Sequence, residues 1–411
     1  MKILRLMAYY DPDKSSGAHL IKDLESVYAN AGFKIEIYCP TPTRGISEEV
    51  RSKYRHIKFE EKMNGKIRIH RFAMMREGTN PILRAFRYVL INCIQYSKGI
   101  HSESVDVIMA ASTPPTQGAL CRLVASKLSR KYKKKIPFIY NIHDVFPDSM
   151  VTTDLTHEGS LLWKIGRRIE KYTYDGCDKI IVISETIKKN LMNKGVPEDK
   201  LVLIHNWVDT DEVKPVPKEE NKLYGEFNIP SDKFIVVYAG NFGAAQGADI
   251  VIEAASLLKE NEDILFVIFG GGAGFEEAKL KIKRYNLNNV LINPLLSQDR
   301  VPEVYSLGDV ALITCKPGVG NSGMPSKTWS IMACNTPIIA SFDTNSELAD
   351  IIQRANAGIC VDPENANILS DAILMYYDNN NIVCESREYV LKYASKKICT
   401  SKYVDVMKEF E

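Results

Sequence analysis

A chain of 411 residues, 45% hydrophobic and 25% charged, has an ordinary globular composition and exceeds the roughly 250–300 residues that one core supports. It contains no apolar run of about 18 residues, so no transmembrane helix is expected. The net charge of +2 hides an asymmetry: residues 1–206 carry 34 Lys and Arg against 22 Asp and Glu, the rest 19 against 29, so the basic half should meet something anionic.

The opening MKILRLMAYY lacks the length and small-residue cleavage site of a signal peptide and reads as a first buried strand, 2–8. Strands follow at 34–39, 66–72, 106–110, 137–142, 179–184 and 201–205, with helices at 17–31, 81–98, 115–129, 158–175 and 185–194. Such alternation means βαβ units and a parallel sheet. The polar KPVPKEENK, residues 214–222, reads as an interdomain linker. The alternation then restarts, with strands at 233–239, 264–270, 289–293, 309–314, 336–341 and 358–361. Helices are expected between them at 246–259, 275–285, 301–307, 326–333, 346–355 and 366–377, and one long helix from about 386 to 411. The fold class predicted is α/β, with two Rossmann-like doubly wound domains at 1–210 and 211–385 and a terminal helix at 386–411. Doubly wound sheets bind ligands outside the carboxyl ends of their strands. A cleft between facing domains, closed by a hinge near 206–225, is therefore the expected site.

Several segments at strand ends have residues suited to an anion. Tyr238-Ala239-Gly240-Asn241-Phe242-Gly243, with Gln246-Gly247, joins a strand to a helix. Glycines there admit a phosphate to the backbone, and a helix start offers unpaired N–H groups; a tight turn is the alternative. Gly270-Gly271-Gly272-Ala273-Gly274 suits close approach to a flat base, or is a flexible turn. In Ser15-Ser16-Gly17-Ala18-His19, a serine caps the next helix, or the Gly17 backbone covers a diphosphate. His143-Asp144 ends a strand, where the imidazole contacts hydroxyls or phosphate, or is a satisfied loop histidine.

Ser322-Gly323-Met324-Pro325-Ser326-Lys327-Thr328-Trp329 reads as a helix start that Ser326 could cap. Lys327 falls in the first turn, where the helix dipole prefers an acid. An anion shared with the helix start explains it; a solvent-facing lysine is the alternative. Glu347 binds ribose or sugar hydroxyls, or is only a helix-start acid. In the basic half, Arg84 and Arg87 interleave with apolar residues over 81–91, Arg130–Lys135 is a cationic cluster, and Trp163, Lys164, Arg167, Arg168 and Lys171 form a third basic patch. These suit an anionic lipid surface or are solvated faces; no recognition motif for nucleic acid accompanies them. Nine cysteines without CxxC or Cys/His ligand spacing are expected as reduced thiols of a cytoplasmic protein, not as a zinc site.

Taken in order, the Gly17 loop, Asn141-Ile142-His143-Asp144, Val182-Ile183-Ser184, Ile204-His205-Asn206-Trp207-Val208-Asp209, Gly240-Asn241-Phe242-Gly243 with Gln246-Gly247, and Met332-Ala333 before Thr336–Ser341 resemble glycosyltransferase family 4, the retaining GT-B enzymes. The resemblance covers almost the whole chain. It implies a nucleoside-diphosphate sugar donor, a UDP-sugar by family habit, retention at the anomeric carbon, no cofactor, no essential metal, and a terminal helix crossing back onto the first domain. Two departures stand out. The family's glutamate pair corresponds to Ser322 and Ser330, and its usual basic pair to Asn241 and Gln246. Gly-Asn with Gln-Gly and Pro-Ser-Lys is similar to a subgroup of bacterial surface-polysaccharide transferases, which implies a polyprenyl-diphosphate-linked acceptor and peripheral association with a membrane.

On that resemblance the catalytic residues are Lys327, His143 and Asp144. Donor contacts fall to Gly17, Asn241, Phe242, Gly243, Gln246, Gly271, Gly272, Ser326 and Glu347. The competing readings are a GT-B sugar-nucleotide epimerase, a degenerate member that binds donor without turnover, and a dinucleotide oxidoreductase. The last lacks a full GxGxxG with a downstream ribose acid.

Overall fold

In the computed structural model, which describes residues 1–14, 17–78, 80–152, 155–320, 324–379 and 383–411, the short apolar runs become strands of two sheets. The first sheet holds β1 (Lys2–Leu6), β2 (Lys34–Pro40), β3 (Phe59–Lys62), β4 (Ile67–Phe72), β5 (Val107–Ala111), β6 (Phe138–Ile142), β7 (Lys179–Val182) and β8 (Leu201–Leu203). Their order is β3-β4-β2-β1-β5-β6-β7-β8, parallel throughout except where β3 runs antiparallel along β4. β3 was not expected, because Phe-Glu-Glu-Lys shows no buried face. It forms because Asn64-Gly65 turns the chain with both residues at positive φ, 55° and 78°, and Lys66 N–H donates to Met63 O.

The second sheet holds β9 (Phe234–Asn241), β10 (Ile264–Gly271), β11 (Val290–Pro294), β12 (Val310–Thr314), β13 (Ile338–Ser341) and β14 (Gly358–Val361), all parallel, ordered β11-β10-β9-β12-β13-β14. Strands covered on both faces must be apolar on both sides, and β10 is buried from Ile264 to Gly270. On β9, Ile235 and Val237 pack with Trp329 and Met332, while Val236 and Tyr238 pack with Ile250 and Ile268 on the opposite face. Each sheet reverses its strand order beside its first strand, between β1 and β5 and between β9 and β12. Crevices for ligands open at such points.

The chain divides into two compact units, Met1–His205 with Cys399–Glu411, and Asn206–Ile398. The stretch expected as a free linker is folded onto the second unit. Val216 N–H donates to Ser306 Oγ, Asn221 Nδ2 to Glu303 O, and Leu223 is fully buried. Arg387 adds hydrogen bonds to the carbonyls of Thr210, Val213 and Ala333. The expected long terminal helix is two helices, Ser386–Tyr393 and Lys396–Lys408. The break arises because Val208 takes the intervening backbone: its N–H donates to Ala394 O and its carbonyl accepts from Lys396 N–H. No described helix is long and apolar enough to cross a membrane.

Candidate functional site

In the second unit the strand-order reversal brings the carboxyl ends of β9 and β12 together, and the chain beyond β9 is held by internal bonds. Phe242 N–H donates to Gly271 O at 2.7 Å, and Phe242 O accepts from Gly274 N–H at 2.8 Å. The Phe242 ring is buried between Tyr238 and Phe275. Phe242 therefore anchors the turn, and neither its ring nor its N–H is available to a ligand, contrary to the expectation of donor contact. Asn241 and Gln246 do converge, Asn241 Nδ2 donating to Gln246 Oε1 at 3.4 Å. Their amides also explain two glycines. A Cβ on Gly243 would lie 2.5 Å from Gln246 Oε1, and one on Gly272 only 1.8 Å from Asn241 Oδ1. Gly272 thus makes room for Asn241 rather than for a flat base. Gly271 gives its carbonyl to the Phe242 turn and has Leu295 beside it.

The helix after this turn is Asp249–Leu257, shorter than expected, and Asp249 in its first turn pairs with Lys281 at 3.1 Å. A carboxylate already stands at the helix start, so the cation for an anionic ligand has to come from elsewhere.

Lys327 is the candidate for that cation. It opens the helix Lys327–Ala333, and its Nζ is buried with no hydrogen-bond partner among the described residues. The amine lies 4.4 Å from the centre of the Tyr238 ring. A Cβ on Gly240 would come within 2.6 Å of it, so Gly240 is the residue that lets the lysine reach the end of β9. Burial without a counter-charge pulls the amine down to about 8. A buried ammonium lacking both anion and acceptor is costly, which makes it a candidate for ligand binding. Ser326 does not cap this helix: its backbone is already helical, at φ −60° and ψ −28°, and its side chain makes no capping bond and is exposed. The cap of the next helix, Glu347–Arg354, is Ser346, which accepts from Ala349 N–H, leaving Glu347 as the first helical residue. Asp343, not singled out from the sequence, binds the N–H groups of Gly318 and Gly320 at 2.9 and 2.8 Å and so fixes the loop after β12.

In the first unit, Ser112 Oγ accepts from the N–H groups of both His143 and Asp144 just beyond β6. His143 Nε2 lies 3.2 Å from Asn141 Nδ2. With the amide donating, Nε2 accepts and the proton sits on Nδ1. Burial lowers the imidazole's affinity for a second proton. Asp144 is exposed. Gly17 precedes the helix Ala18–Asn30, with negative φ and no atom within 4 Å of where a Cβ would stand. Neither strain nor crowding within the chain requires a glycine there. Ser15 and Ser16, considered as caps for this helix, lie outside the described residues, as do Ser322 and Gly323.

Residues 18–212 match the family model described as Glycosyltransferase Family 4, and residues 219–397 the model described as Glycosyl transferases group 1. The chain is thus made of two glycosyltransferase-family domains, one matching each model. Among curated proteins, this glycosyltransferase is 25% identical over 274 residues to the colanic acid biosynthesis glycosyl transferase WcaI of Escherichia coli, a match over 65% of this chain and 66%, just under two thirds, of the relative. Its fold is that of GT-B structures. Sucrose-phosphate synthase from Thermosynechococcus elongatus superposes with a TM-score of 0.75 at 16% identity, covering 99% of this chain and 98% of that one. Anabaena HepE, solved in complex with UDP and glucose, gives 0.69 at 15% identity, with 99% of each covered.

The basic segments of this glycosyltransferase are arranged differently from the sequence reading. Arg87 is buried, its Nη2 donating to Thr43 Oγ1 and its Nε to Met75 O, and Arg84 pairs with Glu77 at 3.1 Å. Arg87 is therefore not the outward cation expected of the helix Pro81–Gly99, whose outer side carries Ile82, Phe86, Val89 and Tyr96 beside the ion-paired Arg84. Lys134 and Lys135 pair with Asp106 and Asp178. On the helix Leu161–Asp175, Arg167 pairs with Glu170 and Lys171 with Asp175, while Lys164 and Arg168 are exposed beside Leu161, Leu162 and Ile165.

Proposed function

We propose that this glycosyltransferase moves a sugar, with retention at the anomeric carbon, from a UDP-sugar to a polyprenyl-diphosphate-linked saccharide during synthesis of a surface polysaccharide. The observation that carries the reading is the buried Lys327 amine at the end of β9, without a hydrogen-bond partner among the described residues. Cleavage of the glycosidic bond adds negative charge to the departing diphosphate, and a preplaced cation in a desolvated site stabilises that charge as it develops. Lys327 then supplies what Asn241 and Gln246 lack, so that turnover needs no metal. Gln246 and Glu347 bind ribose or sugar hydroxyls and Asn241 contacts the phosphates. The first unit contributes Gly17, whose bare backbone admits a phosphate, and His143, which orients the sugar, with Asp144 positioning the acceptor. Two relatives support the chemistry: HepE was solved with UDP and glucose, and WcaI is named for colanic acid biosynthesis. Exposed leucines and isoleucine beside Lys164 and Arg168 support peripheral attachment to the inner face of an anionic membrane.

The test is a thermal-shift panel of sugar nucleotides in EDTA, followed by transfer from the best ligand to polyprenyl-diphosphate saccharides. A UDP-sugar should raise the melting temperature and yield an axial linkage for an axial donor. Lys327→Ala should lower both affinity and turnover at least tenfold. The reading fails if no sugar nucleotide stabilises the protein, or if Lys327→Ala stays within a few-fold of wild type.

A further inference from the structure

A cation buried without an anion needs something to hold it in place. The described residues around Lys327 offer neither a carboxylate nor a hydrogen-bond acceptor at its amine, only the face of Tyr238 at 4.4 Å. Tyr238 is itself fixed from three sides. It is fully buried, the Phe242 ring meets it edge-on at 5.5 Å, and its hydroxyl donates to Asn241 O at 3.1 Å. The same side chain therefore supports the lysine with its ring and the last residue of β9 with its hydroxyl. Gly240, between them, leaves both contacts open: a Cβ there would stand 2.6 Å from the lysine Nζ and 3.3 Å from the tyrosine oxygen.

We propose that Tyr238 is a positioning residue for donor binding, its ring holding the Lys327 ammonium in place of a counter-ion until a diphosphate takes over. This rests on the reading that Lys327 meets the donor. A ring suits the task better than a carboxylate would. Cation–π attraction favours the ammonium in a desolvated site, worth roughly a tenfold to thirtyfold bias, yet it is weak enough for a dianionic ligand to displace. A carboxylate at the same place would compete with the diphosphate for the same charge. Tyr238 is the titratable group facing the amine from β9, and burial pushes its phenol up to about 12, so it stays neutral while the lysine titrates. No charged group on the neighbouring strands or helix shifts the lysine; burial alone lowers it.

The experiment uses the full chain and UDP as the probe, with affinity measured by calorimetry from pH 6.5 to 9.5 for wild type, Tyr238→Phe and Tyr238→Leu. The phenylalanine keeps the ring and should cost about threefold in affinity. The leucine removes the ring and should cost about tenfold or more, and the pH above which UDP binding weakens should move down by about one unit. Gly240→Ala, which crowds the amine off the ring while Tyr238 remains, should resemble the leucine variant and serves if that variant does not fold. In parallel, NMR of lysine Cε in the ligand-free protein follows the Lys327 titration directly. Equal affinities and pH profiles for wild type and Tyr238→Leu, or an unchanged Lys327 midpoint without the ring, overturn the proposal. Wild type that fails to bind UDP overturns the donor reading instead, and the NMR midpoint still decides whether the ring holds the ammonium.

Discussion

If Lys327 meets the donor as proposed, the demands of folding and binding oppose each other there. Its amine titrates near 8 in the folded protein and near 10.5 when unfolded. Between those values the unfolded chain holds more protons, so stability rises with pH across that interval, and below about 8 the whole cost of burying the charge is present. That cost is on the order of 3 kcal/mol. Lys327→Met should therefore raise the melting temperature of the ligand-free protein at pH 7 by several degrees, with the advantage shrinking above pH 8, while UDP no longer stabilises it. Differential scanning fluorimetry at pH 7 and 9.5 reads both effects; a methionine variant less stable than wild type at pH 7 contradicts the account. His143 has the opposite consequence for activity. Burial keeps its ring neutral at pH 7, and acidification below the ordinary imidazole range forces a proton onto Nε2, where Asn141 donates. Turnover should fall on that acid side, and His143→Gln should flatten the fall while lowering the plateau about tenfold. The unusual setting of Lys327 was legible in the sequence, because a lysine at a helix start contradicts the dipole rule. Tyr238 was not, since a tyrosine inside Phe-Ile-Val-Val-Tyr-Ala reads as one more core residue, and nothing local places a lysine 89 residues later above its ring. Phe242 failed in the other direction: a motif position suggested ligand contact, and packing against Phe275 claimed the side chain.

Among the elements, the helix Pro81–Gly99 departs most from its sequence reading. Arginines interleaved with apolar residues suggested cations pointing to lipid. The helical repeat places Arg87 on the same side as Ile91 and Gln95, both fully buried, so that arginine must face inward and find acceptors there. What remains outside is apolar: Ile82 is 78% exposed, Phe86 53% and Val89 56%. Exposed apolar faces of this kind mark interaction surfaces. On the membrane reading, Phe86→Asp with Val89→Asp should reduce co-sedimentation with anionic vesicles severalfold and leave the melting temperature within about a degree. Lys164→Glu with Arg168→Glu should do so in a way that added salt mimics. Vesicle binding that withstands both pairs contradicts the assignment of these faces. The hairpin of β3 and β4 is a different case. Its signal, Asn64-Gly65, stood in the sequence, but β3 lies at the sheet edge with polar side chains and gives no alternation to read.

For the whole molecule, two largely parallel sheets were legible because their central strands are buried on both faces and therefore apolar. The break at Ala394–Ser395 was not, because it depends on Val208, far away in sequence, and the apolar spacing runs through it. The composition of the units has a testable consequence. The second unit is one continuous segment, Asn206–Ile398, whereas the first needs Cys399–Glu411 from the other end of the chain. Cys399, Tyr403 and Met407 are buried there, and Glu409 pairs with Lys179. Residues 206–398 expressed alone should fold cooperatively in a thermal melt, while residues 1–205 alone should lack a sharp transition and regain one when a 399–411 peptide is supplied. A cooperative transition for residues 1–205 without the peptide would show that the last turns are dispensable. The same arrangement sets a timetable for the growing polypeptide. The half made first is not complete until residues 399–411 have been translated, by which time the half made later has had all its residues available. The segment translated first is thus the last to be finished.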